Sequence, residues 1–153
     1  MNPEKTDGGI LISSHACFPE TAADEFMLYR QEYLNITGRK RGDEVLAYHV
    51  RQAFKPGEIT AEKANEIGKA LAERLTDKQH AFVVATHIDK QHIHNHIIFC
   101  ATSLDGRQKY RDVKRSAKEL VQISDALCEE NGLSVICNPQ DKACLLYTSD
   151  AAD

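Results

Sequence analysis

Short apolar runs alternate along the chain with longer segments whose apolar residues recur at helical spacing. The short runs have the composition of β-strands and cover residues 9–14, 45–54, 81–88 and 93–101. The polar residues 89–91 join the third run to the fourth and suit a tight reversal. We therefore expect these two strands to pair as an antiparallel hairpin.

The longer segments predict three amphipathic helices. The first covers residues 21–34 and starts with a threonine that is placed to cap it. The second follows Thr60, another residue of the type preferred at a helix start. The third begins with a capping box formed by Ser116 and Glu119, and it stops at Gly132.

The predicted order is strand, helix, strand, helix, two strands, helix. A hairpin among the strands, with helices between them, argues for an α+β fold: a mainly antiparallel sheet with helices packed on it. The 153 residues suffice for one core of ordinary size and are too few for two independent domains. We expect one globular unit.

The composition is that of a soluble globular protein, with 42% hydrophobic and 27% charged residues. No run approaches the roughly 20 apolar residues that a membrane helix needs, and we recognise no signal peptide. The five cysteines are odd in number and scattered, with no C-x-x-C pair, so a disulfide framework is not expected. These features predict a protein of the reducing cytoplasm.

The net charge of -4 does not favour binding to nucleic acid, because phosphate binding normally requires an excess of lysine and arginine. The distribution of the basic residues matters more than this total. Two stretches are locally basic, and each is compatible with a solvated face and with a DNA contact. Their members are Arg39, Lys40 and Arg41, then Arg107, Lys109, Arg111, Lys114, Arg115 and Lys118.

Four histidines lie within the sequence THIDKQHIHNHIIF, at the predicted hairpin. Side chains alternate between the faces of a strand, so His92, His94 and His96 should share one face. Antiparallel pairing brings His87 toward the same face. Neutral imidazoles are strong ligands for divalent metals, and three of them leave a coordination position open for chemistry.

A simpler interpretation of the histidine run is a set of polar residues on a solvent-exposed sheet face. It explains one histidine well but four poorly, because unliganded rings packed together cost desolvation and repel each other when protonated. Asp89 lies two residues from His87 and can accept a ring N–H, supporting the ligand as outer carboxylates do. Alternatively, Asp89 is only a turn-forming residue.

The histidine pattern resembles the third motif of plasmid mobilisation relaxases, which are HUH-type nucleases that nick one DNA strand at a transfer origin. The motif reads His87-x-Asp89, then His92, then His94-x-His96 followed by an apolar triplet. This resemblance implies an HUH relaxase-like α/β sandwich.

The similarity covers about residues 1–136 and includes the segments NPEKT, YHVRQAFKPGEIT and ENGLSVI. It implies that His87, His94 and His96 hold a divalent ion, such as Mg, Mn or Zn, that polarises the scissile phosphate. His92 matches an additional polar position and is a possible further ligand. The implied substrate is single-stranded DNA gripped by the two basic stretches, and the implied partners are accessory mobilisation proteins.

The resemblance further implies a tyrosine nucleophile that forms a 5′-phosphotyrosyl bond and so preserves the bond for rejoining. In the family this tyrosine precedes a segment like residues 2–6, so we expect the nucleophile and the start of the domain to be missing here. The nuclease domain is then partial and covers residues 1–138. Residues 139–153 show no periodicity, and we expect a non-native or disordered tail without a partner strand.

No tyrosine in the chain is assigned as the nucleophile. Tyr29 and Tyr33 fall on the apolar face of a predicted helix and are expected in the core. Tyr48 and His49 lie in a strand and face either the core or the site. Cys100 stands where the family usually has asparagine, and we expect a buried thiol.

Three functions remain open from the sequence. The leading one is metal-dependent nicking of DNA by transesterification at a transfer origin. A second is a metal-dependent phosphodiesterase or hydrolase that uses metal-bound water. The third is an inactive remnant that binds metal and DNA without turnover.

Overall fold

The computed structural model describes residues 11–39, 45–89, 92–110, 114–134 and 145–151. These ranges contain five strands and three α-helices: β1 (Ile12–His15), α1 (Ala22–Thr37), β2 (Val45–Ala53), α2 (Ala61–Thr76), β3 (Phe82–Asp89), β4 (His92–Cys100), α3 (Lys114–Glu130) and β5 (Leu145–Ala151). The strands form one sheet in the order β1-β3-β4-β2-β5, with every neighbouring pair antiparallel. The predicted α+β fold, a mainly antiparallel sheet with helices packed on it, is confirmed.

The predicted hairpin forms the centre of this sheet. Strands β3 and β4 pair from Phe82 opposite Phe99 to Asp89 opposite His92. Side chains alternate between the two faces of each strand. We call the face that carries Val84 and Ile97 the core face, and the face that carries His94 and His96 the site face.

Helices α2 and α3 cover the core face and bury its apolar side chains. Helix α2 starts as predicted: the Thr60 hydroxyl accepts a hydrogen bond from the backbone N–H of Lys63 at 3.2 Å. Its apolar stripe then lies against the sheet. The buried cluster includes Ile67, Leu71, Phe82, Val84, Ile97, Phe99, Leu120 and Leu127.

Helix α1 packs on the opposite side, over one end of the site face. Phe26 is buried there in a small apolar cluster with Cys100 and Ala81. Cys100 is four residues from His96 along β4, which is about 13 Å at ~3.3 Å per residue. The histidines therefore occupy the other end of the same face.

Polar side chains tie the strands together on the core face directly behind the histidines. Asn95 is fully buried between His94 and His96 in the sequence. Its amide donates to the Gln52 side chain at 3.1 Å and to the Ala64 carbonyl at 2.8 Å, and it accepts from the Thr86 hydroxyl at 2.6 Å. Since a slip of one residue would leave these buried groups unsatisfied, the network fixes the register of β2, β3 and β4.

Further bonds extend this network to both covering elements. Asn65 of α2 donates to the Thr86 hydroxyl at 3.0 Å and to the Leu11 carbonyl at 2.9 Å. On the α3 side, Gln52 donates to the Ser124 hydroxyl at 2.9 Å. The network therefore connects the hairpin with α2, α3 and the segment leading into β1.

Two predicted helix starts are corrected. Thr21 precedes α1, but its hydroxyl donates to the Glu25 carboxylate at 3.0 Å and makes no capping bond to the helix backbone. Helix α3 begins at Lys114, before Ser116, so a capping box at Ser116 is wrong. Lysine and arginine are good helix formers, and two of them extend this helix backwards.

The expectation that the tail lacks a partner strand is also wrong, at Leu145–Ala151. This segment, β5, pairs antiparallel with β2, with Leu146 opposite Arg51 and Thr148 opposite His49. An otherwise open strand edge offers unpaired N–H and C=O groups that another strand can satisfy. That the tail has a non-native origin stays a prediction, as do the domain limits of 1–138 and 139–153.

Replacing Gly68 of α2 with alanine should destabilise the fold, although alanine favours helices. A Cβ atom at this position would lie 2.5 Å from Asn95 Nδ2 and 2.8 Å from Val84 Cγ1. We expect the free energy of unfolding, measured by urea denaturation, to fall by about 1–3 kcal/mol. The exposed neighbour offers a control, because Lys69→Ala should change it by less than about 0.5 kcal/mol. A Gly68→Ala variant as stable as the parent would contradict this packing.

Candidate metal centre

The central hairpin brings three histidines of the sequence motif together. His87 of β3 lies directly opposite His94 of β4, and His96 lies opposite Ala85. Directly opposed residues of an antiparallel pair share a face, as do residues two apart in one strand. All three imidazoles therefore project from the site face, as the alternation pattern predicted.

The three rings are close enough to share one ion. One nitrogen from each of His87, His94 and His96 lies within 4.8 Å of the others. The ring centroids are 5.1 Å apart for His87 and His94, 4.3 Å for His87 and His96, and 5.0 Å for His94 and His96. This group could hold a metal ion. Imidazole nitrogens bind divalent ions at about 2.1 Å, so the three nitrogens would have to move only slightly closer to one another to bind the same ion.

Burial argues against a merely tolerated set of polar residues. His94 is 4% exposed, and His87 and His96 are partly buried. Packing imidazoles this closely without a ligand costs desolvation of each ring. The cluster is therefore not a set of polar residues on a solvent-exposed sheet face.

A fourth histidine, His49 of β2, extends the cluster. Its Nε2 lies 2.7 Å from Nδ1 of His96, within hydrogen-bond distance, and the two rings stack with centroids 4.9 Å apart. A ligating histidine is commonly oriented by such a contact to its other ring nitrogen. The sequence left His49 and Tyr48 undecided. The structure assigns Tyr48 to the core, stacked on Phe99, and His49 to the site.

The environment of His96 keeps its imidazole neutral. Burial, and after it the nearby His87, His49, His94 and Arg51, lowers the pKa of His96 from 6.5 to about 3. A neutral ring has the lone pair that a metal requires. His96 can therefore bind a cation without first losing a proton at neutral pH.

Asp89 and His92 end the two strands of the hairpin and pair with each other in its register. Their side chains lie outside the described part of the protein. The supporting role of Asp89 and the possible ligand role of His92 therefore stay predictions.

Part of the predicted DNA contact lies near α1. Arg39 follows this helix and is exposed, as is Arg107. Lys109 Nζ lies 5.3 Å from the centre of the Tyr33 ring of α1, a cation–π contact. The remaining candidates cannot be placed against the site. Lys40, Arg41 and Arg111 lie outside the described residues, and the structure does not describe the side chains of Lys114 and Arg115. Contact with DNA stays a prediction for all of them.

The tyrosines expected in the core are packed away from the histidines. Tyr33 of α1 is buried, as expected, whereas Tyr29 is only partly buried and its hydroxyl donates to the Ala16 carbonyl at 3.2 Å. Tyr110 packs against Tyr48 and Phe99. These contacts assign structural roles to Tyr29, Tyr33, Tyr48 and Tyr110.

Cys100 is fully buried, as expected for a small thiol that replaces a polar residue. Burial raises its pKa to about 11, so the thiol stays protonated and unreactive. Within the residues that the structure describes, none of the helices is long and apolar enough to span a membrane.

Comparison with known proteins supports the resemblance drawn from the histidine motif. The family described as "Relaxase: MobA/VirD2-like, nuclease domain" matches residues 1–133. Two relatives from Staphylococcus aureus, both called Protein rlx, are 40% and 34% identical and align with 78% and 86% of this chain. The group II intron-interrupted relaxase LtrB of Lactococcus lactis is 29% identical over 96% of it.

The aligned region is a minor part of each relative. This chain covers 37% of the length of those two rlx proteins and 32% of LtrB. No solved structure matches the chain.

Removal of two ligand candidates should abolish metal binding. We expect the parent protein to bind about one Mn²⁺ or Zn²⁺ per chain by calorimetry, and the double variant His94→Ala/His96→Ala to show affinity reduced at least 100-fold. His15→Ala is the matched control, since His15 stacks on Phe82 of the same sheet outside the cluster. Unchanged metal content in the double variant would refute the assignment.

Acid should destabilise the metal-free protein through His96. Its pKa is near 3 in the folded chain and near 6.5 when unfolded, so between these values only the unfolded chain takes up the proton. The free energy of unfolding in the presence of chelator should therefore fall as the pH drops below 6.5. The same urea titrations on His96→Gln should show a smaller fall between pH 7.5 and pH 5. An equal fall in both proteins would contradict the neutral, buried state of His96.

Proposed function

Because this chain belongs to the relaxase family, in the class of the MobA/VirD2-like nuclease domain, we propose that it provides the metal-binding centre for nicking one DNA strand at a plasmid transfer origin. The observation that carries this proposal is the convergence of His87, His94 and His96 on one face of the sheet. The substrate in this proposal is single-stranded DNA.

The three imidazoles would hold a divalent ion, with Mg, Mn or Zn as the candidates. Such an ion supplies a Lewis acid that withdraws charge from the oxygen of a scissile phosphate. The protein contributes rigidity, since the Asn95 network on the core face holds β3 and β4 in register behind the ligands. His49 contributes orientation through its contact with His96.

In the proposed reaction the hydroxyl oxygen of a tyrosine bonds to phosphorus and the 3′-oxygen of the broken DNA strand leaves as a hydroxyl. The tyrosine proton is lost to a base and the leaving oxygen gains a proton, so the phosphodiester is exchanged and not hydrolysed. Residues that hold the ion and the strand prepare this exchange. We assign no tyrosine of this chain as the nucleophile.

Electrostatics explain why the ion matters for binding as well as for chemistry. The chain carries a formal net charge of -4, which opposes approach of a polyanion. A divalent ion on the site face would add positive charge at the place where the DNA phosphate must approach. Arg39 and Arg107, exposed near α1, would then contact phosphates beyond the ion.

Single-stranded DNA should bind more tightly when the metal is present. A fluorescently labelled 30-nucleotide DNA of mixed sequence is the probe, with anisotropy as the readout. We expect Mn²⁺ to lower the dissociation constant of the parent protein at least tenfold and to leave that of His94→Ala/His96→Ala unchanged. Equal binding by the parent with Mn²⁺ and with chelator would contradict the proposal.

The basic residues near α1 should contribute to the salt dependence of this binding. Arg39→Ala/Arg107→Ala removes two potential phosphate contacts and should reduce the slope of log affinity against log salt by about 1.4. The control Lys63→Ala/Lys69→Ala removes the same charge from α2, on the opposite side of the sheet, and should leave the slope unchanged. Equal slopes in the two double variants would exclude Arg39 and Arg107 as contacts.

Covalent trapping distinguishes two routes of cleavage. Attack by tyrosine leaves DNA attached to protein and stable in detergent, whereas attack by metal-bound water leaves two free ends. We predict that, when a longer relaxase containing these residues supplies the nucleophilic tyrosine, cleavage of a transfer-origin oligonucleotide in Mn²⁺ is accompanied by the adduct. Cleavage without an adduct would favour the metal-dependent hydrolase, and metal-dependent binding without cleavage would favour the inactive remnant.

A further inference from the structure

Arg51 stands beside the histidine cluster on the site face. It is the register partner of His96 across β2 and β4. Alternation along β2 places Val50 and Gln52 on the core face, where both are buried, and Arg51 on the site face with His49. A guanidinium therefore borders the three imidazoles of His87, His94 and His96.

The charge of Arg51 lacks a counter-ion among the residues that the structure describes. Its Nε is buried and has no hydrogen-bond partner there. The ion pairs of that part of the chain join other residues, and none includes Arg51. The Arg51 side chain as a whole is half-buried, and a buried guanidinium nitrogen normally lies against a carboxylate or another acceptor.

Among the described strand positions, neither residue directly opposite Arg51 is acidic. Asp89 pairs with His92 at the turn of the hairpin, four positions along β3 from Ala85, the partner of His96. That separation is about 13 Å along the strand. On the other side of β2, the residue opposite Arg51 is Leu146.

A positively charged arginine beside a cation-binding site repels the bound ion, and this repulsion destabilises both the charged arginine and the bound ion. Arg51 is one of the charged neighbours that disfavour protonation of His96, and it must repel a divalent ion for the same reason. The arrangement becomes favourable when an anion lies between the two positive groups. Arginine is well suited to such an anion, because its planar N–H groups match the oxygens of a phosphate.

We propose that Arg51 binds a non-bridging oxygen of the phosphodiester held at the histidine cluster, and so places the DNA backbone against the metal site. This inference rests on the proposed function and adds a second, protein-borne cation to it. Arg51 acts on the substrate directly, while His49 orients a ligand. The two neighbours on β2 therefore have separable effects.

Opposite changes in metal and DNA affinity test this role. With Arg51→Gln, the affinity for Mn²⁺ alone, measured by calorimetry, should stay equal or increase up to about threefold, since a repelling charge is lost. The affinity for the labelled single-stranded DNA in Mn²⁺ should fall at least tenfold, with the salt slope reduced by about 0.7. Arg51→Lys keeps the charge without the planar fork, so it should recover part of the DNA affinity and retain the parental slope.

The matched control is Arg74→Gln, which removes one positive charge from α2 on the other side of the sheet, where Arg74 pairs with Glu130. It should leave both affinities unchanged. A loss of Mn²⁺ affinity in Arg51→Gln and in Arg51→Lys would assign Arg51 to the support of the histidines and overturn the inference. Unchanged DNA affinity in Arg51→Gln would overturn it as well.

These outcomes remain separate from a failure of the proposed function. If the parent binds Mn²⁺ through His94 and His96, and Mn²⁺ strengthens DNA binding, the metal centre stands whatever Arg51 does. If the parent binds no metal, or its DNA affinity does not respond to the metal, the proposed function fails and the Arg51 inference is overturned with it.

Discussion

The antiparallel pairing of β3 with β4 is the constraint on which the rest of the structure depends. It places His87 opposite His94, and the pleat of β4 adds His96 to the same face. A shift of one residue in this register would move the histidines of one strand to the core face, and the three rings would no longer lie together. The formation of the candidate metal centre therefore depends on the register of β3 with β4 as well as on the histidines themselves.

The two faces of the sheet have different roles. The core face buries apolar side chains against α2 and α3, and it also buries Asn95 with its fully bonded amide. A satisfied polar network specifies one register more sharply than apolar contacts do, because any alternative leaves donors and acceptors unpaired. The opposite face is then free to carry groups that would be costly in a core: four imidazoles and the guanidinium of Arg51.

The sequence predicted much of this arrangement because its signals were local. The hairpin, the Thr60 cap and the alternation of His94 with His96 all follow from residues close together in the chain. The role of His49 was not predictable, since it depends on how β2 is registered against β4, a pairing of distant segments. Arg51 was missed for the same reason. The start of α3 and the pairing of β5 show the limits of local rules, because helix propensity and an open sheet edge overrode the expected cap and the expected loose tail.

The central claim is that imidazoles from two adjoining strands meet around a single cation. Anomalous diffraction from crystals grown with Mn²⁺ tests it most directly, because the peak locates the ion independently of any activity. The account predicts one strong peak per chain within about 2.3 Å of a nitrogen from each of His87, His94 and His96, consistent with metal–imidazole bonds of about 2.1 Å. Crystals that show the three rings pointing apart, or a manganese peak elsewhere and none among them, would contradict it.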